Sequence, residues 1–248
     1  MTAQLSGTTA LVTGGTSGIG RATAVALAGL GAHVVLSGRD ATRGAEVVER
    51  IRAAGGEADF VAADLTDAAS ARALAARARE AGGQVDVLVN NAGVFPFGPT
   101  GSATEEEFDG VFATNVKAAF FLVAELAPEM AERGHGSIVN VSTMVAKIGL
   151  AGMALYGASK ASLELLTKAW AAEFGPSGVR VNAVSPGPTR TEGTAAMGDA
   201  LDQLASAAPA GRAASPEEIA SAIAFLAAEG SSFVHGAILP VDGGRVAV

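Results

Sequence analysis

The chain has 248 residues, of which 49% are hydrophobic and only 17% are charged. This composition is typical of a compact globular protein with a well-buried core, and it excludes an intrinsically disordered chain. The formal net charge of −8 argues against a general nucleic-acid binder, which would carry a basic patch. Because cysteine is absent, disulfide frameworks, zinc–cysteine sites and thiol nucleophiles are also excluded.

The N-terminal stretch shows no targeting signal. Residues 1–7 contain neither a basic n-region nor a signal-peptide cleavage pattern. No run approaches the roughly 18 apolar residues that are needed to span a bilayer. We therefore expect a soluble, cytoplasmic protein without a membrane partner.

Short apolar runs alternate along the chain with longer segments of helical periodicity. The predicted strands are residues 8–13, 33–37, 58–63, 85–89, 136–142, 179–184 and 237–241. The predicted helices are residues 21–30, 41–54, 67–81, 104–133, 156–174 and 215–228. This alternation predicts a doubly wound α/β fold, with about seven parallel strands and helices on both faces.

Helix-capping signals mark several of these boundaries. Thr104 and Glu107 fit a capping box, and Asp40 is placed to cap the helix that follows it. Ser215 and Pro216 form a strong helix start. No linker, low-complexity tract or repeat interrupts the pattern, so residues 1–248 are predicted to form one domain. The irregular residues 187–215 follow a strand, where such sheets bind ligands, and we interpret them as a substrate lid.

The first predicted strand runs into a glycine-rich turn, Gly14-Gly15-Thr16-Ser17-Gly18-Ile19-Gly20, and a helix follows at once. Strand, glycine turn and helix in this order favour a phosphate cradle, because backbone amides and the helix N-terminus then face the ligand. An ordinary β–α turn is the alternative.

Tyr156 and Lys160 are four residues apart in a predicted helix, so their side chains share one face. An ammonium beside a phenol favours the phenolate and would make the tyrosine a proton donor and acceptor near neutral pH. A pair of this kind, taken alone, is more often a surface contact.

Several motifs together resemble the short-chain dehydrogenase/reductase family along essentially the whole chain. They are TGGTSGIG at 13–20, NNAG at 90–93, YGASK at 156–160, PGPTRT at 186–191 and VDGG at 241–244. The resemblance implies a Rossmann-like fold and hydride transfer between a nicotinamide cofactor and a carbonyl or alcohol. It implies no metal.

The resemblance also implies catalytic roles. Tyr156 would exchange a proton with the substrate oxygen, while Lys160 would lower the pKa of Tyr156 and hydrogen-bond the nicotinamide ribose. Asn115 would hold a water that links Lys160 to solvent. The family's usual serine is replaced by Thr143, which we assign to the substrate oxygen, with the adjacent Ser142 as the alternative.

Cofactor choice rests on the end of the second strand. The acidic residue that is typical of NAD-binding members is replaced there by Gly38, and Arg39 follows. A guanidinium at this position would pair with a 2′-phosphate, whereas Asp40 is explained by capping. We therefore expect NADP, with NAD as the second choice.

Further cofactor contacts follow from the motifs. Asp64 and Leu65 would meet the adenine, and Asn91, Ala92 and Gly93 would line the adenosine ribose through backbone contacts. Proposed pyrophosphate and nicotinamide contacts are Gly14, Thr16, Ser17, Gly18, Ile19, Gly20, Pro186, Gly187, Thr189 and Thr191.

Substrate identity stays open. Residues 94–100, 145–155 and 191–210 would choose the substrate, and an apolar pocket is indicated by Phe95, Phe97, Ile148, Leu150, Met153 and Met197. A 3-oxoacyl-carrier-protein reductase is one alternative, with Arg190 and Arg212 as candidates for contacting the acidic carrier. A non-catalytic nucleotide-binding redox sensor is another. The family also implies a homo-oligomer, usually a tetramer, through the long helices and the C-terminal segment.

Overall fold

A computed structural model describes residues 4–248, so the first three residues of the N-terminal prediction lie outside the described residues. The strands are β1 (Thr9–Val12), β2 (His33–Gly38), β3 (Glu57–Ala62), β4 (Val87–Asn90), β5 (Gly136–Val141), β6 (Val179–Pro186) and β7 (Ile238–Val241). They form one parallel sheet in the order β3-β2-β1-β4-β5-β6-β7. The predicted doubly wound α/β fold is confirmed.

Helices cover both faces of this sheet. They are α1 (Gly18–Gly29), α2 (Ala41–Ala53), α3 (Ala68–Gly82), α4 (Glu105–Phe112), α5 (Ala118–Arg133), α6 (Ala154–Phe174), α7 (Asp199–Ser206) and α8 (Pro216–Ala227). Alternate residues of a strand point to opposite faces, so Ala10 and Val12 pack with α1, α2 and α8 while Leu11 packs with α3, α5 and α6.

Most predicted boundaries differ from the observed ones by a few residues. Helix α1 begins at Gly18, inside the glycine turn, because glycine's poor helix propensity hid its first turn from the sequence pattern. The predicted caps of α2 and α8 are confirmed: Asp40 accepts the Arg43 amide, and Ser215 forms a capping box with Glu218.

The predicted helix 104–133 is one helical rod with a change of winding. A π-helical turn, Ala113–Lys117, separates α4 from α5. The predicted capping box is wrong in part: Thr104 accepts the Glu107 amide, but no reciprocal bond forms. The rod Glu105–Arg133 is long and apolar enough to cross a membrane, since an 18-residue window within it has a mean hydropathy of 1.4. Its apolar side chains Leu122, Leu126 and Met130 are buried in the core, which accounts for this composition.

The segment 187–215 is more regular than the sequence predicts. A 3₁₀ helix, Glu192–Met197, and α7 lie within it, and Leu201, Ala205 and Ala213 form a small core of their own. These helices have six and eight residues, which is too short for a repeating apolar pattern to stand out in the sequence.

The strand order reverses between β1 and β4, which are neighbours in the sheet. Connections leave these strands toward opposite faces, and a crevice opens at their carboxyl ends. The fold therefore brings the segments after β1, β4, β5 and β6 to one edge of the sheet.

Candidate active site

A cleft of about 420 Å³ runs across the carboxyl ends of the strands. It collects nearly all the site residues that the sequence predicted. Those that line it are Gly14, Thr16, Ser17, Ile19, Gly20, Arg39, Asp64, Leu65, Asn91, Ala92, Gly93, Thr143, Tyr156, Lys160, Pro186, Gly187, Thr189 and Thr191. Two do not line it: Gly18 faces the lid segment, and Asn115 lies behind Gly93.

The glycine turn is held tightly against α1. Gly14 has a φ of +63°, which favours glycine. A Cβ atom on Gly20 would lie 2.1 Å from the Gly14 carbonyl oxygen, so no side chain fits there. The Asn91 side chain donates to the carbonyls of Thr13, at 2.9 Å, and Gly14, at 3.1 Å. The turn is therefore preformed, as a phosphate cradle requires.

Thr13 is a structural determinant that the sequence analysis did not single out. Its hydroxyl oxygen accepts the amides of both Asn91 and Ala92, each at 3.0 Å. Because these two amides are already bonded, they do not face a ligand. The predicted backbone contacts of Asn91 and Ala92 with a cofactor would therefore have to use other main-chain atoms. The position of this threonine, directly before the first glycine of the motif, is the sequence feature from which its role could have been inferred.

The Gly18 amide is bonded by the lid segment. Glu192 accepts this N–H at 3.0 Å and pairs with Arg21 at 2.7 Å. Gly18, predicted to contact the cofactor, has its N–H bonded to Glu192 and does not line the cleft in this structure. Glu192 was not predicted, because only the tertiary fold brings it to α1.

At the β2 end of the cleft, Arg39 is exposed and forms no ion pair within residues 4–248. Asp40 instead caps α2 and pairs with Arg43 at 3.1 Å. Ser17 is the N-cap residue of α1, but its hydroxyl makes no capping bond. The guanidinium of Arg39 and the hydroxyl of Ser17 are therefore available at the β2 end of the cleft, whereas the carboxylate of Asp40 is already bonded.

Lys160 is buried, and its ammonium donates to the Val141 carbonyl at 2.8 Å. Burial lowers the pKa of Lys160 from 10.5 to about 8, because the charged form loses its hydration. Gly93 allows the close approach: a Cβ atom there would lie 3.3 Å from Lys160 Nζ and 3.2 Å from Asn115 Oδ1.

Tyr156 lies one helical turn before Lys160 on α6. Burial raises the pKa of Tyr156 to about 12, and the hydrogen bond with Thr143 opposes this in part. The net shift is upward because loss of hydration outweighs the contact with Thr143, and the lowering of this pKa by Lys160 stays a prediction. The phenol is accordingly protonated at neutral pH.

The two candidate hydroxyls point in different directions. The Thr143 hydroxyl lies close enough to the Tyr156 phenol to lower its pKa, and it accepts the Val145 amide at 3.3 Å. The Ser142 hydroxyl donates to Glu164 Oε1 at 2.9 Å. Adjacent residues at a strand end face opposite sides, so only Thr143 shares the oxygen-binding position with Tyr156.

Asn115 lies in the π-helical turn and is almost fully bonded. Its amide group donates to the Val94 carbonyl at 2.9 Å and to the Ser159 hydroxyl at 3.0 Å, and its oxygen accepts the Val94 amide at 2.8 Å. Both donors are used, so a water would bind only a remaining lone pair of Oδ1 or a main-chain carbonyl. π-Helical turns frequently occur at functional sites.

The β6 end closes the cleft. A Cβ atom on Gly187 would lie 2.7 Å from the Asp242 Cα, so the VDGG segment packs directly on this turn. Thr189 is buried and pairs with Ala214, and Thr191 caps the 3₁₀ helix of the lid segment.

Of the predicted apolar substrate residues, Phe95, Leu150, Met153 and Met197 line the cleft. The prediction is wrong for Phe97, which packs on Gly152 in a separate groove, and for Ile148, which does not reach the cleft. The two candidate arginines are both paired: Arg190 with Asp202, and Arg212 with both oxygens of Glu218.

Comparisons with known proteins agree with this architecture. A family model described as enoyl-(acyl carrier protein) reductase matches residues 14–245. A 2,5-dichloro-2,5-cyclohexadiene-1,4-diol dehydrogenase from Sphingobium indicum is 40% identical, over 98% of both chains. A solved short-chain dehydrogenase/reductase family protein is 52% identical, with a TM-score of 0.92, over 99% of this chain and 100% of that one. A blue fluorescent protein from a metagenomic library, solved with NADPH, is 35% identical, with a TM-score of 0.92, over 98% and 99% of the chains.

The buried lysine leads to a pH-dependent stability prediction. Because its pKa falls from 10.5 to about 8 on folding, the unfolded chain binds more protons between these values. Stability therefore rises with pH across this window. Lys160→Met removes the buried charge, so we expect it to raise the free energy of unfolding at pH 7 by about 1–3 kcal/mol.

Urea denaturation of both proteins between pH 7 and 10.5 measures this effect. The advantage of the variant should shrink above pH 8 and be largely lost by pH 10.5. A Lys160→Met variant that is less stable than the wild type by the same amount at every pH would contradict the claim that the buried charge of Lys160 costs stability.

Proposed function

Because this chain belongs to the short-chain dehydrogenase/reductase family, we propose that it is an oxidoreductase that transfers a hydride between NADP(H) and a ketone or secondary alcohol. The observation that carries the proposal is that Tyr156, Lys160 and Thr143 line the same cleft as the glycine turn.

The residues present fit a dinucleotide. The turn at Gly14 and Gly20 has no room for side chains and leaves the backbone open to a pyrophosphate. Arg39 would bind the 2′-phosphate of NADP, since its guanidinium is unpaired within residues 4–248 and no carboxylate stands at position 38. The 35%-identical neighbour solved with NADPH supports this choice.

NADPH, when bound, supplies a hydride to the carbonyl carbon. Tyr156 would give its proton to the carbonyl oxygen at the same time, and Thr143 would hold that oxygen in place. Lys160 would stabilise the phenolate that remains. The raised pKa of Tyr156 keeps the phenol protonated below pH 10, which suits the reductive direction.

We further propose that Asn115 holds a water for the return of the proton, and that residues 187–215 act as the substrate lid. The lid segment touches the cleft through Thr191, Gly193 and Met197, so its position would depend on what the cleft holds. The enzyme would act in the cytoplasm.

A 3-oxoacyl-carrier-protein reductase is a narrower alternative. The description of the matching family model favours it, since that description names an acyl carrier protein. An acidic carrier needs free basic residues, however, and Arg190 and Arg212 are both paired with carboxylates. The wider ketone reductase is therefore the better supported reading.

The first prediction concerns the hydroxyl partner of Tyr156. Thr143→Ala should lower kcat for NADPH-dependent ketone reduction by about 100-fold, because one donor to the oxygen is lost. Thr143→Ser should restore most of the rate, and Ser142→Ala should stay within about threefold of the wild type, since Ser142 faces Glu164.

Tyr156→Phe is the control for the reaction, and it should abolish turnover while leaving NADPH binding intact. Loss of activity only in Ser142→Ala would overturn the assignment of Thr143. Tight NADPH binding with no turnover of any ketone would instead favour the redox sensor.

The second prediction concerns cofactor choice. Arg39→Ala should lower kcat/KM for NADPH by about 10–100-fold and leave that for NADH unchanged, because a charge-assisted contact to the 2′-phosphate is lost. Arg43→Ala removes an equal charge nearby, where the guanidinium is already paired with Asp40, and is the matched control. An equal loss with both cofactors would contradict the role of Arg39.

The third prediction concerns assembly, which we propose to be a homotetramer. Phe120 and Leu165 are exposed on the neighbouring helices α5 and α6, and Phe225 and Phe233 are exposed near the C-terminal strand. Light scattering should give a mass of four 24.4 kDa chains. Leu165→Glu should lower this mass, since it places a charge on an exposed apolar surface, whereas a monomeric wild type would reject the proposal.

A further inference from the structure

The part of the cleft beyond Tyr156 is walled by apolar side chains. They come from three separate segments of the chain, namely the loop after β4, the start of α6 with the loop before it, and the lid. The principal ones are Phe95, Leu150, Met153, Met197, Leu201 and Leu204.

This apolar part has no charge to offer a substrate. Only Arg39, Asp64 and Lys160 bring ionisable charge to the cleft within residues 4–248. Arg39 and Asp64 follow β2 and β3, on the far side of β1 and β4 from Tyr156. Lys160 is buried and bonded to the Val141 carbonyl. A carboxylate in this part would therefore be buried without a partner, which costs several kcal/mol.

The lid does not supply a cation either. Arg190 pairs with Asp202, Arg212 with Glu218, and Arg21 with Glu192. None of these three arginines lines the cleft. Each would have to break an existing ion pair before it reached a substrate.

Side-chain hydrogen bonding is equally restricted. The hydroxyl of Thr194 donates to the Thr189 carbonyl at 2.8 Å and accepts the Thr191 amide at 2.9 Å, so it is used within the lid. Ser142 is bonded to Glu164, so the hydroxyls of Tyr156, Thr143 and Thr114 remain. Tyr156 and Thr143 would take one substrate oxygen, which leaves Thr114 alone to meet the further hydroxyl groups of a polyol.

Phe95 closes the wall above the tyrosine. Its ring meets the Tyr156 ring edge-on, with centroids 6.2 Å apart. On the other side it faces the lid, where a Cβ atom on Gly193 would lie 3.1 Å from the Phe95 Cζ. The oxygen-binding hydroxyls are thus bordered by an aromatic surface rather than by a polar one.

We propose that this site takes a neutral, apolar ketone or secondary alcohol with a single oxygen function, and that it rejects carboxylates and polyols of the same size. This inference rests on the proposed function, because it concerns the same tyrosine and cleft. It goes further by inferring the class of substrate from the side chains that line the cleft.

Two isosteric pairs of ketones test the inference: 4-isopropylcyclohexanone against 4-oxocyclohexanecarboxylate, and 6-methyl-2-heptanone against 5-oxohexanoate. NADPH oxidation at pH 7 gives kcat/KM for each. The neutral member of each pair should be favoured by at least about 100-fold, since the carboxylate has no partner in the apolar part of the cleft. A ratio near one, or a preference for the carboxylates, would overturn the inference while turnover itself upheld the oxidoreductase function.

A variant pair makes the test more specific to these walls. Met197 is 40% exposed, so an arginine there reaches both the cleft and solvent without threatening the fold. Met197→Arg should raise kcat/KM for the two carboxylates by about tenfold or more, and Met197→Gln, of similar length without charge, should not. An unchanged neutral-to-anionic ratio in Met197→Arg would overturn the placement of Met197 at the substrate.

Failure of the proposed function has a different signature. If none of the four ketones is reduced with NADPH or NADH, although cofactor binding is seen by calorimetry, the oxidoreductase proposal fails and the substrate class fails with it. If only the carboxylates are reduced, and Tyr156→Phe abolishes that activity, the function stands and the substrate class is wrong.

Discussion

The candidate site depends on the hydrogen bonds of one buried hydroxyl. Thr13, at the end of β1, accepts the amides of Asn91 and Ala92, which follow β4. These strands are adjacent in the sheet and mark the point where its order reverses. Asn91 in turn holds the carbonyl of Gly14. The glycine turn and the segment that leads to Gly93 are therefore fixed to each other, and the distance from the glycine turn to Lys160 follows from that connection.

Burial at this edge costs stability and makes the chemistry possible. The Lys160 ammonium has one carbonyl partner, and burial favours the neutral forms of both Lys160 and Tyr156. In a site with little water, the hydrogen-bond donors and the ammonium interact strongly with negative charge that develops on a substrate oxygen, because few water molecules screen that charge. The lack of water and of charged partners on the apolar side of Tyr156 would also exclude a charged substrate. One physical constraint thus bears on both catalysis and selectivity.

Sequence reasoning succeeded where the pattern is local. Seven apolar runs predicted seven strands, and the residues of the glycine turn predicted its shape, since both depend on near neighbours in the chain. It failed where the local structure depends on contacts with segments that are distant in the chain. The π-helical turn at Asn115 forms where that side chain bonds Val94 and Ser159, and Glu192 reaches Gly18 only because the segment 187–215 folds against α1. The burial that raises the pKa of Tyr156 was not predicted, because spacing along a helix does not report burial.

The sequence by itself determined the α/β class, the strand count, the glycine turn and the presence of Tyr156 and Lys160 on one helical face. Each follows from periodicity and residue type over short distances. Only the tertiary structure decided that Ser142 faces Glu164 while Thr143 faces Tyr156, and that the candidate basic residues of the lid are already paired. These outcomes depend on the direction in which each side chain leaves its strand or loop and on partners far away in the chain.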